Sequence, residues 1–314
     1  MSGEELVFVA CVAPLVGFLG MYSGGFWGVG CGWLIVPTAL ICFHCTPSQA
    51  AGIGLLQMVP SILPSVVRET PQIGWGRGSL GRRIVLPAAL GALATAFSGR
   101  PINDFFDRLF GAKALMFAFG VFMLFVGYKT LFGGNKNAYS ETTPITFSRG
   151  AERPAFLGGL AAGIFSSVLG VGGAMVFRPI LAYGFKFNET DTARSVRFLL
   201  LTTTTTGGLS YLFSRSGMDL KVLLLSGMIA LGGSFGFPLG VRAHRIMIET
   251  GYGREVSRSF ATICGIVTLN VALLFFDLKL LSQIVMSVFA ILLFSAITLS
   301  TVYARKSPRR VTEP

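Results

Sequence analysis

Charge is scarce in this chain of 314 residues. Asp, Glu, Lys and Arg together make 13% of it, and only 14 residues are acidic against 26 basic. Soluble domains carry about twice that charged fraction, which argues against a water-facing globule. Its five cysteines, Cys11, Cys31, Cys42, Cys45 and Cys264, form no disulfide framework. Cys42-Phe43-His44-Cys45 has metal-capable side chains but no matching second half, so these are read as small apolar positions and no metal site is expected. No glycine stretch continues into Gly-Lys-Ser/Thr, which removes a nucleotide P-loop. A nucleophile–base pair with workable spacing is missing too, so no catalytic residue and no cofactor are implied. The net charge of +12 comes without a zinc finger, an RNA-binding signature or a basic-aromatic stripe, which argues against a nucleic-acid partner. The opening Met1-Ser2-Gly3-Glu4-Glu5 lacks the positive start of a secretory signal, so the first apolar stretch is expected to belong to the mature protein.

What fills the chain is apolar sequence. Hydrophobic residues make 52% and the mean hydropathy is +0.68. Those values place it among all-α polytopic membrane proteins, with the lipid bilayer as its surroundings. Apolar segments fall at 5–23, 32–45, 48–67, 82–99, 112–132, 154–169, 173–185, 195–213, 220–241, 257–276 and 280–304. Most approach the roughly 20 residues that a spanning helix needs. The segments 32–45 and 173–185 are too short, reaching about 20 Å at best against a hydrocarbon core of about 30 Å.

Both short segments follow a glycine break. The first reads "GFWGVGCGWLIVP" over 25–37 and the second "GVGGAMVFRP" over 170–179. A shift of 142 lays Gly28, Val29, Gly30 and Pro37 on Gly170, Val171, Gly172 and Pro179. The same shift lays Ala51 on Ala193, Gly91 on Gly233 and His44 on Lys186. One membrane domain over 1–314 is therefore expected, with repeat 1 at 5–132, a polar linker at 133–153, repeat 2 at 154–276 and an extra C-terminal helix at 280–304.

Basic residues test the topology. If each break is the tip of a hairpin that enters and leaves on one side, 19 Lys and Arg fall on one face and six on the other. If each broken segment crosses once, the split is 11 to 14. The positive-inside rule favours the hairpins, with the N-terminus outside and the C-terminus in the cytoplasm of a cell membrane. Each repeat then makes an odd number of net crossings, and the second is inverted relative to the first, a common transporter plan.

A helix that begins at such a tip offers unpaired N–H groups and the positive end of its dipole. Glycine lets a ligand approach that backbone closely, so two tips near the midplane would make an anion site. The expected binding residues are Gly28, Gly30, Cys31 and Gly32 at the first tip and Gly170, Gly172 and Gly173 at the second. Arg178 lies inside the second hairpin, opposite the apolar Val36 in the repeat, and a membrane-embedded Arg marks a functional position. The competing reading pairs it structurally, with Asp191 as the nearest carboxylate considered. Arg197 is included with less force, since Arg194 and Arg197 also read as interface residues. Thr202 and Thr203 open a threonine run, and Gln57 interrupts an apolar stretch; these polar groups either shape the pocket or join helices. Asn188-Glu189-Thr190 fits a glycosylation pattern but falls on the expected cytoplasmic side.

Two "GVG(G/C)(G/A)…P" breaks, each opening one half of an apolar chain, resemble the sulfite exporter TauE/SafE family over about residues 5–300. The resemblance implies a secondary transporter, an exporter of a small sulfur-containing anion such as sulfite or sulfoacetate, working by alternating access. It implies that Gly28, Gly30, Gly32, Gly170, Gly172, Gly173 and both prolines carry the signature. Cys31 and Ala174 stand where the fuller motif has glycine, which is expected to make the loop slightly less permissive. A passive anion channel of the same architecture is the alternative. The substrate, a coupling proton and the oligomeric state stay open.

Overall fold

The computed structural model describes residues 3–132, 150–213 and 219–308. Most of the expected linker, 133–149, lies outside the described residues. Among the described residues the chain is helical and has no strand. The helices are α1 (Gly3–Trp27), α2 (Gly32–Ile41), α3 (Pro47–Leu56), α4 (Met58–Glu69), α5 (Leu86–Ala96) and α6 (Gly99–Phe132). They continue with α7 (Glu152–Leu169), α8 (Ala174–Pro179), α9 (Glu189–Leu212), α10 (Leu220–Glu249), α11 (Gly253–Phe275) and α12 (Lys279–Lys306). Five stretches are long and apolar enough to cross a membrane: Val9–Trp27, Pro47–Ile73, Leu220–Glu249, Gly253–Phe275 and Lys279–Lys306. Large apolar side chains also face outward along α12, at Leu280, Ile284, Val288, Ile291, Leu292 and Leu299. Their spacing, mostly of three and four residues, draws one apolar helical stripe on the outside of the molecule.

Several expected boundaries move. The gap between 82–99 and 112–132 is helix, because α6 runs for 34 residues. The stretch 48–67 is interrupted at Gln57, where α3 ends and α4 begins. Helix α10 continues to Glu249 and α9 starts at Glu189, so Arg242, Arg245, Arg194 and Arg197 are helical rather than loop residues. The caps explain the α9 start: the Asn188 side chain accepts from the Asp191 N–H, at the position where the first repeat has the Thr46 capping box.

The chain turns back at both breaks. Gly20 of α1 packs on Leu34 and Ile35 of α2, while Gly24 packs on Gly30, so α2 retraces α1. Likewise Gly158 of α7 meets Ile180, and Ser166 meets Gly173. Elsewhere the halves interlock as exchanged pairs. A Cβ at Gly17 would lie 2.1 Å from Ile229 O, and one at Gly159 would lie 2.1 Å from Ala88 O. Helix α1 thus lies parallel to α10, with Pro14, Phe18 and Tyr22 carbonyls against Gly232, Gly236 and Gly240 in turn. Helix α7 lies against α5 in the same way, with Ala88 and Ala92 against Gly159 and Gly163. Small residues let the backbones approach this closely, the usual route to tight helix pairs in lipid.

Candidate functional site

Left-handed backbone makes the breaks. Gly28 and Gly30 have φ near +74°, and Gly170, Gly172 and Gly173 have φ of +70°, +84° and +68°. An L side chain is strained in that region, so the glycines are required by conformation. Cys31 is different. Its φ of −127° suits any residue, and Ala174 is already helical, so the two departures from the glycine motif leave the backbone undisturbed. The matched positions His44 and Lys186 also share a left-handed φ, of +50° and +56°.

The turns expose helix starts. Leu34 and Ile35 N–H both donate to Cys31 O, while Gly32 and Trp33 N–H find no partner among the described residues. At the second break Val176 and Phe177 N–H both donate to Gly173 O, and Gly172 and Gly173 N–H are left in the same condition. Buried N–H groups without partners are rare and costly, so a site of this kind is incomplete until something accepts from it.

The two breaks meet. A Cβ on Gly32 would lie 2.4 Å from Val171 Cα and 2.6 Å from Gly170 O. Gly28 faces Ala193, and Gly170 faces Ala51, its equivalent in the other half. Between the tips stand Met58 and Leu200, also equivalent by the 142-residue shift. Both lie against Gly30 and against Gly172. Gln57 is fully buried here and donates from Nε2 to Cys31 Sγ at 2.9 Å and Gly54 O at 3.0 Å, while its Oε1 has no hydrogen bond. Thr203 donates to Gly172 O at 2.9 Å and so touches the second break. Thr202 donates to Phe198 O in its own helix.

Both arginines are buried, at 3% and 2% exposure for Arg178 and Arg197. Arg178 pairs with Glu189 rather than with Asp191, donates to Trp27 O, and lies 4.9 Å from the Phe260 ring centre. Asp191 is held instead by Asn188. Arg197 pairs with Glu69 at 2.7 Å and donates to Gly25 O at 3.2 Å. It is therefore no interface residue. Trp27 and Gly25 lie in the last turn of α1, so both guanidinium groups sit at the negative end of that helix dipole. An ion pair of this kind is held by mutual attraction against a desolvation penalty of several kcal/mol per ion.

Beside Arg197 opens a cleft of about 180 Å³ lined by Glu69, Arg194, Arg197, His244, Arg245 and Glu249 among others. A neighbouring cleft of about 440 Å³ shares Glu69 and Arg245 and adds Arg68 and Arg242. Five of the basic residues that the loop count placed on one face, Arg68, Arg194, Arg197, Arg242 and Arg245, are thus brought together where the C-terminal ends of α4 and α10 meet the start of α9. Gly28 connects that junction to the first break, since its Cβ position is 3.7 Å from Arg197 Cγ.

Sequence reasoning gave no site role to Glu69, Glu189 or His244, and met Glu189 only inside the Asn188-Glu189-Thr190 pattern. The available signal was chemical: an Arg buried in a membrane protein needs a carboxylate, and this chain has few.

A family model described as Sulfite exporter TauE/SafE matches residues 13–271, which spans both breaks and both buried ion pairs. A search of curated proteins returned no match. Neither did a search of solved structures.

Proposed function

Since the chain belongs to the sulfite exporter TauE/SafE family, a family of membrane transporters, we propose that it is a secondary exporter of a small sulfur-containing anion. Sulfite and sulfoacetate are the first candidates. The two halves act as inverted repeats that alternate access around the paired breaks, with the N-terminus outside and the C-terminus in the cytoplasm. The turn-back of α2 on α1 and of α8 on α7 supports this arrangement, as does the gathering of Arg68, Arg194, Arg242 and Arg245 at one end.

One observation carries the reading. Two glycine breaks, each ending in a helix start with free N–H groups, face each other in the centre of an apolar molecule. An oxyanion between Gly30, Gly32, Gly172 and Gly173 would accept from both starts and meet the positive ends of two dipoles, each with about half a unit charge. Gln57 and Thr203 supply neighbouring polar groups, and Cys31 fixes Gln57. In the conformation described here Met58 and Leu200 fill the gap, so binding requires their displacement.

Flux of labelled sulfite and sulfoacetate in proteoliposomes tests the proposal, with and without a pH gradient. Saturable flux is expected, and Gly32→Ala should abolish it, because the new methyl would press on the Val171 backbone. Flux no greater than in empty liposomes would refute the reading. Steady anion current without saturation would favour a passive channel.

A further inference from the structure

We propose that the cleft beside Arg197 is a second oxyanion site, at the basic end of the path, in which the anion competes with Glu69 for Arg197. The inference rests on the transport reading for its purpose but not for its chemistry. Its walls come from α4, α9 and α10, well apart in sequence, and it lies outside the glycine breaks.

Two buried polar side chains point to a ligand. Arg197 is 2% exposed, and its Nε has no hydrogen bond although its Nη1 and Nη2 are engaged. His244 is 5% exposed; its ring approaches the Phe26 backbone, but neither ring nitrogen makes a hydrogen bond of normal geometry among the described residues. Its ring meets Phe26 edge-on at 6.0 Å between centroids. Buried polar side chains in folded proteins nearly always have partners, so the unpaired Arg197 Nε–H, with the poorly paired His244 ring beside it, needs an explanation. An accepting group between them supplies one.

Charge and size agree on its class. Arg194, Arg197 and Arg245 outnumber Glu69 and Glu249 in the lining, and Arg178 with its partner Glu189 stands behind them. A cleft of about 180 Å³ holds several times the roughly 30 Å³ share of one water. It therefore suits a tetrahedral or pyramidal oxyanion of few heavy atoms, and excludes a nucleotide or a peptide. Glu69 is the built-in competitor: its carboxylate already occupies Arg197 at 2.7 Å. A planar guanidinium offers a second edge, and an incoming oxyanion can take Nε first and then replace the carboxylate. Release from Glu69 also loosens the hold of Arg197 on Gly25 O, in the last turn before the first break. Loading the cleft and moving the first tip are thus linked through one side chain.

The test is calorimetric titration of sulfite, and of sulfate as a non-reducing analogue, into the purified full-length chain in detergent. Glu69→Gln removes the competitor and should tighten binding at least about tenfold, while His244→Leu should weaken it by a similar factor. Arg245→Gln, on the exposed rim, should weaken binding severalfold and keeps the proposal testable if Glu69→Gln does not fold. Unchanged affinity in Arg245→Gln and His244→Leu would overturn it, as would weaker binding in a folded Glu69→Gln. The same variants measured for flux separate the two ideas. Cleft binding that responds as stated without any sulfite or sulfoacetate flux would leave the cleft standing and end the transport reading. Flux that ignores all three substitutions would do the reverse.

Discussion

At the scale of single residues, the buried arginines are decided by their partners. Arg178 reads in sequence either as a countercharge for the anion or as half of a structural pair with Asp191, and in the fold Glu189 and the Trp27 carbonyl occupy it. Arg178→Met should therefore lower stability by about 3–5 kcal/mol, the usual result of stranding one half of a buried pair. Adding Glu189→Leu should recover much of that loss, measured as thermal unfolding in detergent through a double-mutant cycle. Strictly additive losses would show that the pair is not coupled. The breaks themselves were legible residue by residue, because glycine is the residue that enters left-handed φ without strain. Glu69 was not legible as the partner of Arg197. They are 128 positions apart, and no local pattern can choose among several carboxylates at that range.

Elements carry the topology. Ten-residue α2 spans about 15 Å, half the hydrocarbon thickness, while α6 with 34 residues reaches roughly 50 Å and must tilt or project. The short helices were legible from length alone, and the turn-back from the count of basic residues. The extent of α6 was not. Its first third, "GRPINDFFDRLF", mixes charge with aromatic residues and reads as a loop by hydropathy, although it suits a helix that leaves the bilayer. One helical rod, the π turn Gly81–Val85 continued by α5, lies between the 70–80 stretch and residue 98, so the hairpin topology places these two on opposite faces. Single cysteines at Ser79 and Ser98, in a chain whose native cysteines are replaced, should react with impermeant thiol reagents from opposite sides of inside-out and right-side-out vesicles. Labelling of both from one side would remove the inverted arrangement.

The whole molecule is two interlocked halves around a centre filled by Met58 and Leu200. Alternating access requires that centre to open, so trimming it should lower selectivity before it lowers stability. Met58→Ala combined with Leu200→Ala is expected to raise sulfite leak in proteoliposomes in the absence of a gradient of any coupling ion. An unchanged leak would mean that these side chains are packing and do not gate. The equivalences of Gly28 with Gly170 and of Ala51 with Ala193 were legible in the 142-residue shift. The way the tips interpenetrate was not, because a repeat in sequence fixes neither a contact distance nor which helix of one half meets which of the other.

The buried ion pairs have a consequence at this scale. The positions that the repeat sets opposite Arg178, Glu189, Arg197 and Glu69 are Val36, Pro47, Leu55 and Tyr211, none of them charged. Two identical halves would give two facing states of equal energy, reached by the same motion run in opposite senses. Arg178–Glu189 lies within the second half and Arg197–Glu69 joins the two halves, and since neither ionic lock has an equivalent under the repeat, they lift that degeneracy. The empty carrier would then rest in one facing state, as a latch rests closed. A ligand able to unlock it need supply only the difference between the two wells, and every cycle would begin from the same door.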